Sequence, residues 1–351
     1  MAYIFSAKET TAMEPRIVGM IRKLCRDLQV KSNGGVIAET DKHAVIEGVF
    51  DLRPWLNMFS YDAITSMFWS NTYGFLDKGN GMCPSMDVSG KVNPSPADLV
   101  QGLAISAPIH THGKQAAQNF SGMARYQVVK RLENPPDKPD LFSNLPVQPT
   151  EKRSTPMSLN ELIAECTTML DAAHSPLHHI QRFKRFPTYE PVWMRASAAN
   201  LRLHSGSLVK PLRSGATIAS HFVPPDTTVS NPLYNIHVNE NLFTHASRFI
   251  PERWLDDNDE HRNGCTTSQQ EHQNLKESVL PFSLGGRACI GRNLAYMELS
   301  IMIAALVMGF EWELAVPGSE LQTIERLNCN PKRTSGEGSY EGRCGFYGIK
   351  V

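Results

Sequence analysis

The sequence predicts a mainly α-helical fold with a small β component. Apolar residues recur at intervals of three and four positions over 17–28 and again over 159–170, the spacing of one buried helix face. Between 217 and 230 the pattern changes to short β-branched and aromatic runs around prolines, which is typical of short strands. The sequence contains no internal repeat, and the whole chain, 1–351, is predicted to form a single domain.

The first half of the chain is predicted to alternate helices with polar connections. The buried face of the first helix is expected to consist of Ile17, Ile21, Leu24 and Leu28. A second, amphipathic helix is predicted from Pro54 to about Trp69, with the proline in its first turn, where no amide hydrogen is needed. The polar stretch Asp87–Asp98 and the proline-rich stretch Asn134–Pro156 are predicted to be loops.

A third helix is marked by its start and its end. Ser158 and Glu161 have the spacing of a capping box, in which each side chain binds the backbone amide of the other residue. The apolar stripe that follows comprises Leu159, Leu162, Ile163, Cys166, Met169 and Leu170. The helix is expected to end near Ser175, because Pro176 cannot donate the next hydrogen bond.

The second half of the chain is predicted to contain a small sheet and one long helix. Phe222 and Val223 lead into the turn residues Pro224–Asp226, which predicts a turn between two short strands. The stretch Asp256–Lys276 is polar and charged and is predicted to be a loop, and a helix is predicted from about Asn293 to Phe310.

Charge and cysteine content limit the kinds of partner and compartment. Lys plus Arg and Asp plus Glu both number 35, so no net field attracts nucleic acid or anionic lipid, and the expected partner is a small, mostly apolar molecule. The seven cysteines have no paired spacing, which favours a reducing compartment. Residues 1–11 have neither a signal peptide nor an anchor pattern, and the longest apolar stretch, 299–310, is expected to be a core helix.

The segment 281–291, Pro-Phe-Ser-Leu-Gly-Gly-Arg-Ala-Cys-Ile-Gly, is the most informative part of the sequence. Gly285 and Gly286 permit a tight backbone, and Gly291 allows the following helix to approach closely. Arg287 supplies a fixed positive charge, and Cys289, just before a helix, would have its thiolate favoured by the helix dipole. A glycine-rich turn with a buried structural cysteine is the alternative interpretation, but six residues at fixed offsets argue against it.

This segment resembles the haem-binding signature of the cytochrome P450 family, F-x-x-G-x-R-x-C-x-G, at all its defining positions. Two upstream segments also resemble the family. Residues 249–254, F-I-P-E-R-W, resemble its P-E-R-F or P-E-R-W segment, and residues 201–204, L-R-L-H, resemble the end of its E-x-x-R helix and the continuation of that helix. The resemblance extends over 194–310 and more loosely over 50–173, in a form similar to filamentous-fungal members of secondary metabolism.

The resemblance implies an incomplete cytochrome P450-like fold, with the haem-binding loop and its following helix at 280–310. Cys289 would be the axial ligand of the iron of haem b (iron protoporphyrin IX), Arg287 would contact a propionate, and Phe282 would lie beside the sulfur. A thiolate ligand favours cleavage of the O–O bond. The implied activity is that of a monooxygenase acting on a small apolar substrate, with electrons from NADPH through NADPH–cytochrome P450 reductase.

Two departures from the family concern proton delivery and an ion-pair network. Ser175 and Pro176 stand where the family has the acid and threonine that handle protons during oxygen activation. Ala199 stands at the glutamate of the E-x-x-R motif, so Arg202 loses the carboxylate that would join it to Arg253. Removal of one partner from such a buried network typically costs ~3–5 kcal/mol.

In the family, the arginines at the positions of Arg202 and Arg253 support the cysteine loop. Glu252 is the nearby acid that could rearrange to replace the missing carboxylate. The chain also begins after the position where relatives complete their endoplasmic reticulum anchor and first helices, so a cytosolic or peripheral location is expected. The tail from Asn328 onwards stands where the family forms a short substrate-lining hairpin.

Two other functional hypotheses stay open. The chain could be a truncated or inactive remnant that binds haem weakly or not at all, or a non-catalytic protein that binds a ligand or partner. His174, His178 and His179 have a spacing compatible with a metal site, but solvated side chains are the favoured interpretation because no third ligand type is fixed nearby.

Overall fold

The structure is a computed structural model of the chain. It describes residues 2–39, 49–96, 111–137, 139–147, 155–174, 214–229, 233–246, 248, 250, 253, 273, 277–314, 323–325, 329–331 and 346–350.

Helices predominate in these ranges. The α-helices are α1 (Ala7–Ser32), α2 (Leu52–Trp69), α3 (Phe75–Lys78), α4 (Thr111–Glu133), α5 (Leu159–His174), α6 (Leu233–His237) and α7 (Arg292–Gly309). Short 3₁₀ helices cover Ala2–Phe5, Leu141–Asn144 and Gly285–Arg287. The prediction of a mainly α-helical fold with a small β component is confirmed.

The strands are short and all of their pairs are antiparallel. They are β1 (Val49–Asp51), β2 (Met82–Met86), β3 (Val92–Pro96), β4 (Ala216–Ile218), β5 (His221–Val223), β6 (Glu311–Leu314), β7 (Thr323–Glu325), β8 (Cys329–Pro331) and β9 (Phe346–Lys350). Strand β9 lies between β1 and β6, with Tyr347 opposite both Phe50 and Leu314. The other strands form the hairpins β2–β3, β4–β5 and β7–β8.

The chain divides into two compact units. The first contains Met1–Thr188, Ile290–Gln322 and Arg333–Val351, and the second contains Tyr189–Cys289 and Thr323–Lys332. The helices α1–α5 and α7 and the three-stranded sheet belong to the first unit, while α6 and the hairpins β4–β5 and β7–β8 belong to the second. The prediction that the whole chain forms one domain stays a prediction.

Helix α1 confirms the first predicted helix. Its four predicted core residues are Ile17, Ile21, Leu24 and Leu28, and each is at most 2% exposed. The helix begins after Ser6, whose hydroxyl accepts a hydrogen bond from the Glu9 amide. It packs against α2 and α7.

Helix α2 forms as predicted, but the prediction that it is amphipathic is wrong. Its side chains are buried on nearly all sides, because it packs against α1, α5 and the turn at Leu141–Asn144. The buried hydroxyls of Ser60 and Thr65 bind the helix's own backbone, and the Thr65 hydroxyl donates to the Tyr61 carbonyl at 2.7 Å. The buried Asp62 carboxylate accepts a hydrogen bond from the Leu76 amide at 2.9 Å and so holds the start of α3.

Two predicted loops contain regular structure. Strand β3 lies within the polar stretch Asp87–Asp98, because the Asp87 carboxylate binds the backbone of the turn and lets the chain fold back as a hairpin. A 3₁₀ turn lies within the proline-rich stretch. Asp140 caps this turn and forms a two-pronged ion pair with Arg131 of α4, at 2.7 and 3.1 Å.

Helix α5 confirms the capping box. The Ser158 amide donates to the Glu161 carboxylate at 2.8 Å, and the Glu161 amide donates to the Ser158 hydroxyl at 3.3 Å. The predicted stripe is buried except at Leu159, in the first turn of the helix, which is 41% exposed. The helix is described from Leu159 to His174, and its predicted end near Ser175 lies outside the described residues.

The small hairpin β4–β5 is present, but its turn was predicted in the wrong place. The chain reverses at Ala219 and Ser220, whose φ angles of 46° and 66° suit a two-residue hairpin turn. The Pro224–Asp226 sequence forms a separate turn after β5. The predicted loop Asp256–Lys276 lies almost entirely outside the described residues.

Helix α7 confirms the long helix predicted after the cysteine segment, and it buries a carboxyl group. The core positions of its described side chains are Leu294, Ala295, Leu299, Met302, Ile303 and Leu306. Glu298 lies among them and is 8% exposed. Loss of hydration raises the pKa of Glu298 from its usual value of 4.5 to about 8.

We expect Glu298→Gln to remove a pH-dependent loss of stability. Because the folded-state pKa exceeds that of the unfolded chain, the free energy of unfolding should fall as the pH rises from 4.5 to about 8. Each pKa unit corresponds to about 1.4 kcal/mol. The variant should therefore be markedly more stable than wild type at pH 8 and about as stable as wild type at pH 4.5. Urea unfolding at a series of pH values measures this, with the exposed Glu14→Gln as control. Equal pH profiles for wild type and Glu298→Gln would contradict it.

Candidate functional site

The cysteine segment folds into a loop that closes on itself. The Ser283 amide donates to the Leu280 carbonyl at 3.1 Å, and the Ala288 amide donates to the Gly285 carbonyl at 3.1 Å. The Cys289 amide then donates to the Phe282 carbonyl at 2.8 Å. These three bonds fix the backbone on both sides of the 3₁₀ turn and set the position from which the Cys289 side chain leaves the loop.

The loop requires left-handed backbone geometry at two positions. Gly285 has a φ of +71°, and a Cβ placed on it would meet no atom within 4 Å. The need for glycine there is therefore conformational and not steric. Ser283 has a φ of +57°, which is unusual for a residue with a side chain.

The surroundings of Cys289 in the loop are open and apolar. Cys289 is exposed, and Leu284 is 63% exposed. A Cβ placed on Gly286 would also meet nothing within 4 Å, so the backbone there is accessible to a flat group. An accessible sulfur beside exposed apolar and glycine surface is what an apolar macrocycle with a central iron requires, so the described residues fit haem.

Burial distinguishes Cys289 from the other cysteines whose side chains the structure describes. Cys83 and Cys166 are buried, and Cys25 is half-buried. Loss of hydration raises the pKa of the Cys25 and Cys166 thiols, which keeps both protonated at neutral pH. Among the described cysteines, Cys289 is therefore the best placed to present a thiolate to a metal.

Arg253 is buried in the second unit and is bound by backbone carbonyls. Its guanidinium donates to the Thr244 carbonyl at 3.0 Å and to the His245 carbonyl at 3.3 Å, and the residue is 7% exposed. Carbonyl dipoles therefore compensate part of its desolvation. Arg202, Glu252 and the motif position Ala199 lie outside the described residues.

The sequence did not indicate that His237 contacts the start of the cysteine loop. The Leu280 amide donates to Nε2 of His237, at the end of α6, with a separation of 3.2 Å. His237 is 7% exposed. The two residues are 43 positions apart, so no local spacing pattern could connect them.

The comparisons with known proteins find similarity to cytochromes P450. The model of the cytochrome P450 family matches residues 201–335. The chain is 26% identical to trichothecene C-15 hydroxylase of Fusarium sporotrichioides over 365 aligned positions, which cover 90% of this chain and 68% of the relative. It is 23% identical to a cytochrome P450 monooxygenase of Penicillium oxalicum, covering 93% of this chain and 68% of that protein.

These findings support a fungal-type cytochrome P450. The similar proteins are fungal monooxygenases of secondary metabolism, and the P450 family that they represent implies a haem cofactor and, at family level, oxidoreductase activity. The fold agrees, because a cytochrome P450 crystal structure superposes with a TM-score of 0.69 at 17% identity, covering 94% of this chain and 75% of that one.

The described residues contain only part of the predicted P450 site. The backbone of Arg287 belongs to the 3₁₀ turn, but its side chain lies outside the described residues. Phe282 is half-buried, and Gly291 is the N-cap residue of α7. Ser175, Pro176 and the histidines at 178 and 179 are also outside the description. Within it, no group of three His, Cys, Asp or Glu side chains could hold a metal ion.

One helix in the described part of the chain, α7, is long and apolar enough by length and composition to cross a membrane. Its buried side chains and its packing against α1 are also those of a core helix, which passes the same test. The sequence prediction for 299–310 was a core helix.

We expect Gly285→Ala to loosen the closed loop, while Gly286→Ala serves as a matched control. An alanine at the left-handed φ of Gly285 costs about 1–2 kcal/mol, whereas Gly286 has an ordinary φ and equal open space. Hydrogen exchange at the Cys289 amide should therefore accelerate by roughly 5- to 30-fold in Gly285→Ala. Equal exchange in the two variants would show that the backbone conformation of Gly285 does not hold the loop.

Proposed function

We propose that this chain is a haem-thiolate monooxygenase in which Cys289 is the axial ligand of the iron of haem b. The observation that carries the proposal is the exposed Cys289, held in a closed loop by the bond from its amide to the Phe282 carbonyl. The higher thiol pKa values of the buried Cys166 and half-buried Cys25 make them poor competitors.

Other residues of the loop have supporting roles in this proposal. Arg287 would bind a haem propionate, since a guanidinium remains charged and matches a carboxylate. Phe282 would lie beside the sulfur and limit the access of water. Gly285 supplies the left-handed backbone conformation of the loop, and Gly291 is the N-cap residue of helix α7.

The family's ion-pair network is replaced in part by backbone contacts. Arg253 binds the carbonyls of Thr244 and His245, so its charge is stabilised without the glutamate that Ala199 replaces. We propose that Arg253, together with Arg202 and the neighbouring Glu252, supports the segment that leads to the cysteine loop.

The substrate is proposed to be a small, mostly apolar molecule, because the chain has no net charge to attract ionic partners. When bound, haem would supply the reductive activation of O2, so that one oxygen atom enters a C–H bond or alkene and the other leaves as water, with two electrons from NADPH through NADPH–cytochrome P450 reductase. The chain's own part is to hold the thiolate of Cys289 in place through the closed loop.

A second candidate function is favoured by a specific observation. Ser175 and Pro176 occupy the positions of the family's proton-handling acid and threonine. A chain with this substitution could bind haem through Cys289 without activating oxygen, as an inactive member of the family. Formation of oxygenated product from small apolar compounds, in the presence of NADPH, reductase and the haem-loaded chain, separates the two candidates, because the inactive member would form none.

We expect the reduced, carbon-monoxide-treated chain to show the red-shifted Soret band of thiolate-ligated haem. Cys289→Ser should lose this band, because a serine hydroxyl is a poor ligand for the iron, whereas Cys25→Ser, at the half-buried cysteine of α1, should keep it. The measurement is the difference spectrum of the purified chain supplemented with haem. A red-shifted band that survives in Cys289→Ser, or a soluble folded wild type without it, would contradict the proposal.

A further inference from the structure

We propose that His237 is a positioning residue for the cysteine loop, through its bond to the Leu280 amide. The inference rests on the proposed role of Cys289 as haem ligand. His237 is nearly fully buried, at 7% exposure, and its Nε2 lies 3.2 Å from the Leu280 nitrogen. A backbone amide can only donate, so the imidazole nitrogen accepts and must carry no proton.

The bonded amide lies at the start of the hydrogen-bonded loop. The carbonyl of Leu280 accepts from the Ser283 amide at 3.1 Å, and the neighbouring carbonyl of Phe282 accepts from the Cys289 amide at 2.8 Å. Pro281, between them, is buried. A shift of the Leu280 peptide would therefore be passed to Phe282, whose carbonyl determines the position of Cys289.

His237 is itself held by a hydrogen-bonded segment. The Asn239 amide donates to the Ile236 carbonyl at 3.2 Å, and the Asn239 carbonyl accepts from the amides of Leu242 and Phe243, both at 3.0 Å. Phe243 is 4% exposed, which anchors this turn in the second unit.

The same segment continues to Arg253. The carbonyls of Thr244 and His245, directly after Phe243, accept the Arg253 guanidinium. Side-chain and backbone bonds therefore connect Arg253 with His237, and His237 connects directly with the loop. This gives the buried arginine a physical route to the cysteine segment that needs no carboxylate at position 199.

Matched variants distinguish the effect of the His237 hydrogen bond from the effect of its packing. Glutamine at position 237 can offer a side-chain carbonyl oxygen near the place of Nε2, whereas phenylalanine fills a similar volume and offers no acceptor. His221→Phe, at an exposed histidine on β5, is the control for a histidine of the same unit. If His237→Phe does not fold, His237→Leu takes its place in the same comparison.

Two measurements on the full chain test the inference. The first is hydrogen exchange of peptides that cover 280–289, without haem, where His237→Phe should exchange roughly tenfold faster than wild type. The second is the reduced carbon-monoxide spectrum with haem, where the same variant should convert a large part of the thiolate-type band to a blue-shifted form. His237→Gln and His221→Phe should resemble wild type in both.

Three outcomes would overturn the inference. Unchanged loop exchange in His237→Phe, with a thiolate band equal to that of wild type, would remove the positioning role and leave the proposed function intact. Equal acceleration in His237→Gln and His237→Phe would show that the imidazole acts by packing. Absence of the thiolate band from wild type, even with the expected exchange difference, would remove the proposed function and with it any role of His237 toward haem.

Discussion

The hydrogen bond from the Cys289 amide to the Phe282 carbonyl determines where the cysteine sulfur lies. A metal-binding thiolate has to be accessible, yet it also has to be held in place, and these needs conflict for a side chain on a surface loop. The loop meets both, because the backbone on either side of the 3₁₀ turn is bonded to itself at 2.8–3.1 Å while the cysteine stays exposed. Glycine at the left-handed position 285 makes this closed path possible.

Irregular segments elsewhere in the chain are held in the same manner, by buried polar side chains that bind backbone groups. Asp62 accepts from the Leu76 amide at the start of α3, and Asp140 caps a 3₁₀ turn while it pairs with Arg131. Arg253 binds two carbonyls, and His237 accepts from the start of the cysteine loop. Because an unsatisfied buried partner costs about 1–3 kcal/mol, each of these contacts disfavours alternative paths of the chain.

Features that depend on local periodicity could be predicted from the sequence. Helix α1 and the capping box of Ser158 and Glu161 were predictable because their signals lie within a few turns of one helix. The cysteine loop was predictable because its glycines, arginine and cysteine lie at fixed offsets within 281–291.

Features that depend on distant contacts, or on a turn without its usual residues, could not be predicted. Polar residues of α2 suggested a solvent-facing side, but packing on several elements buries them. The hairpin turn at Ala219 and Ser220 contains no glycine or asparagine to mark it. The bond from Leu280 to His237 joins residues 43 positions apart, and nothing in a single sequence indicates such a pair.

The most direct test of the ligand assignment is X-ray absorption at the iron edge of the haem-loaded chain. We expect one sulfur scatterer at bonding distance from the iron in wild type and none in Cys289→Ser. Such a result would establish Cys289 as the ligand. Iron coordinated only by nitrogen and oxygen in the wild-type chain, or sulfur coordination that persists in Cys289→Ser, would contradict it.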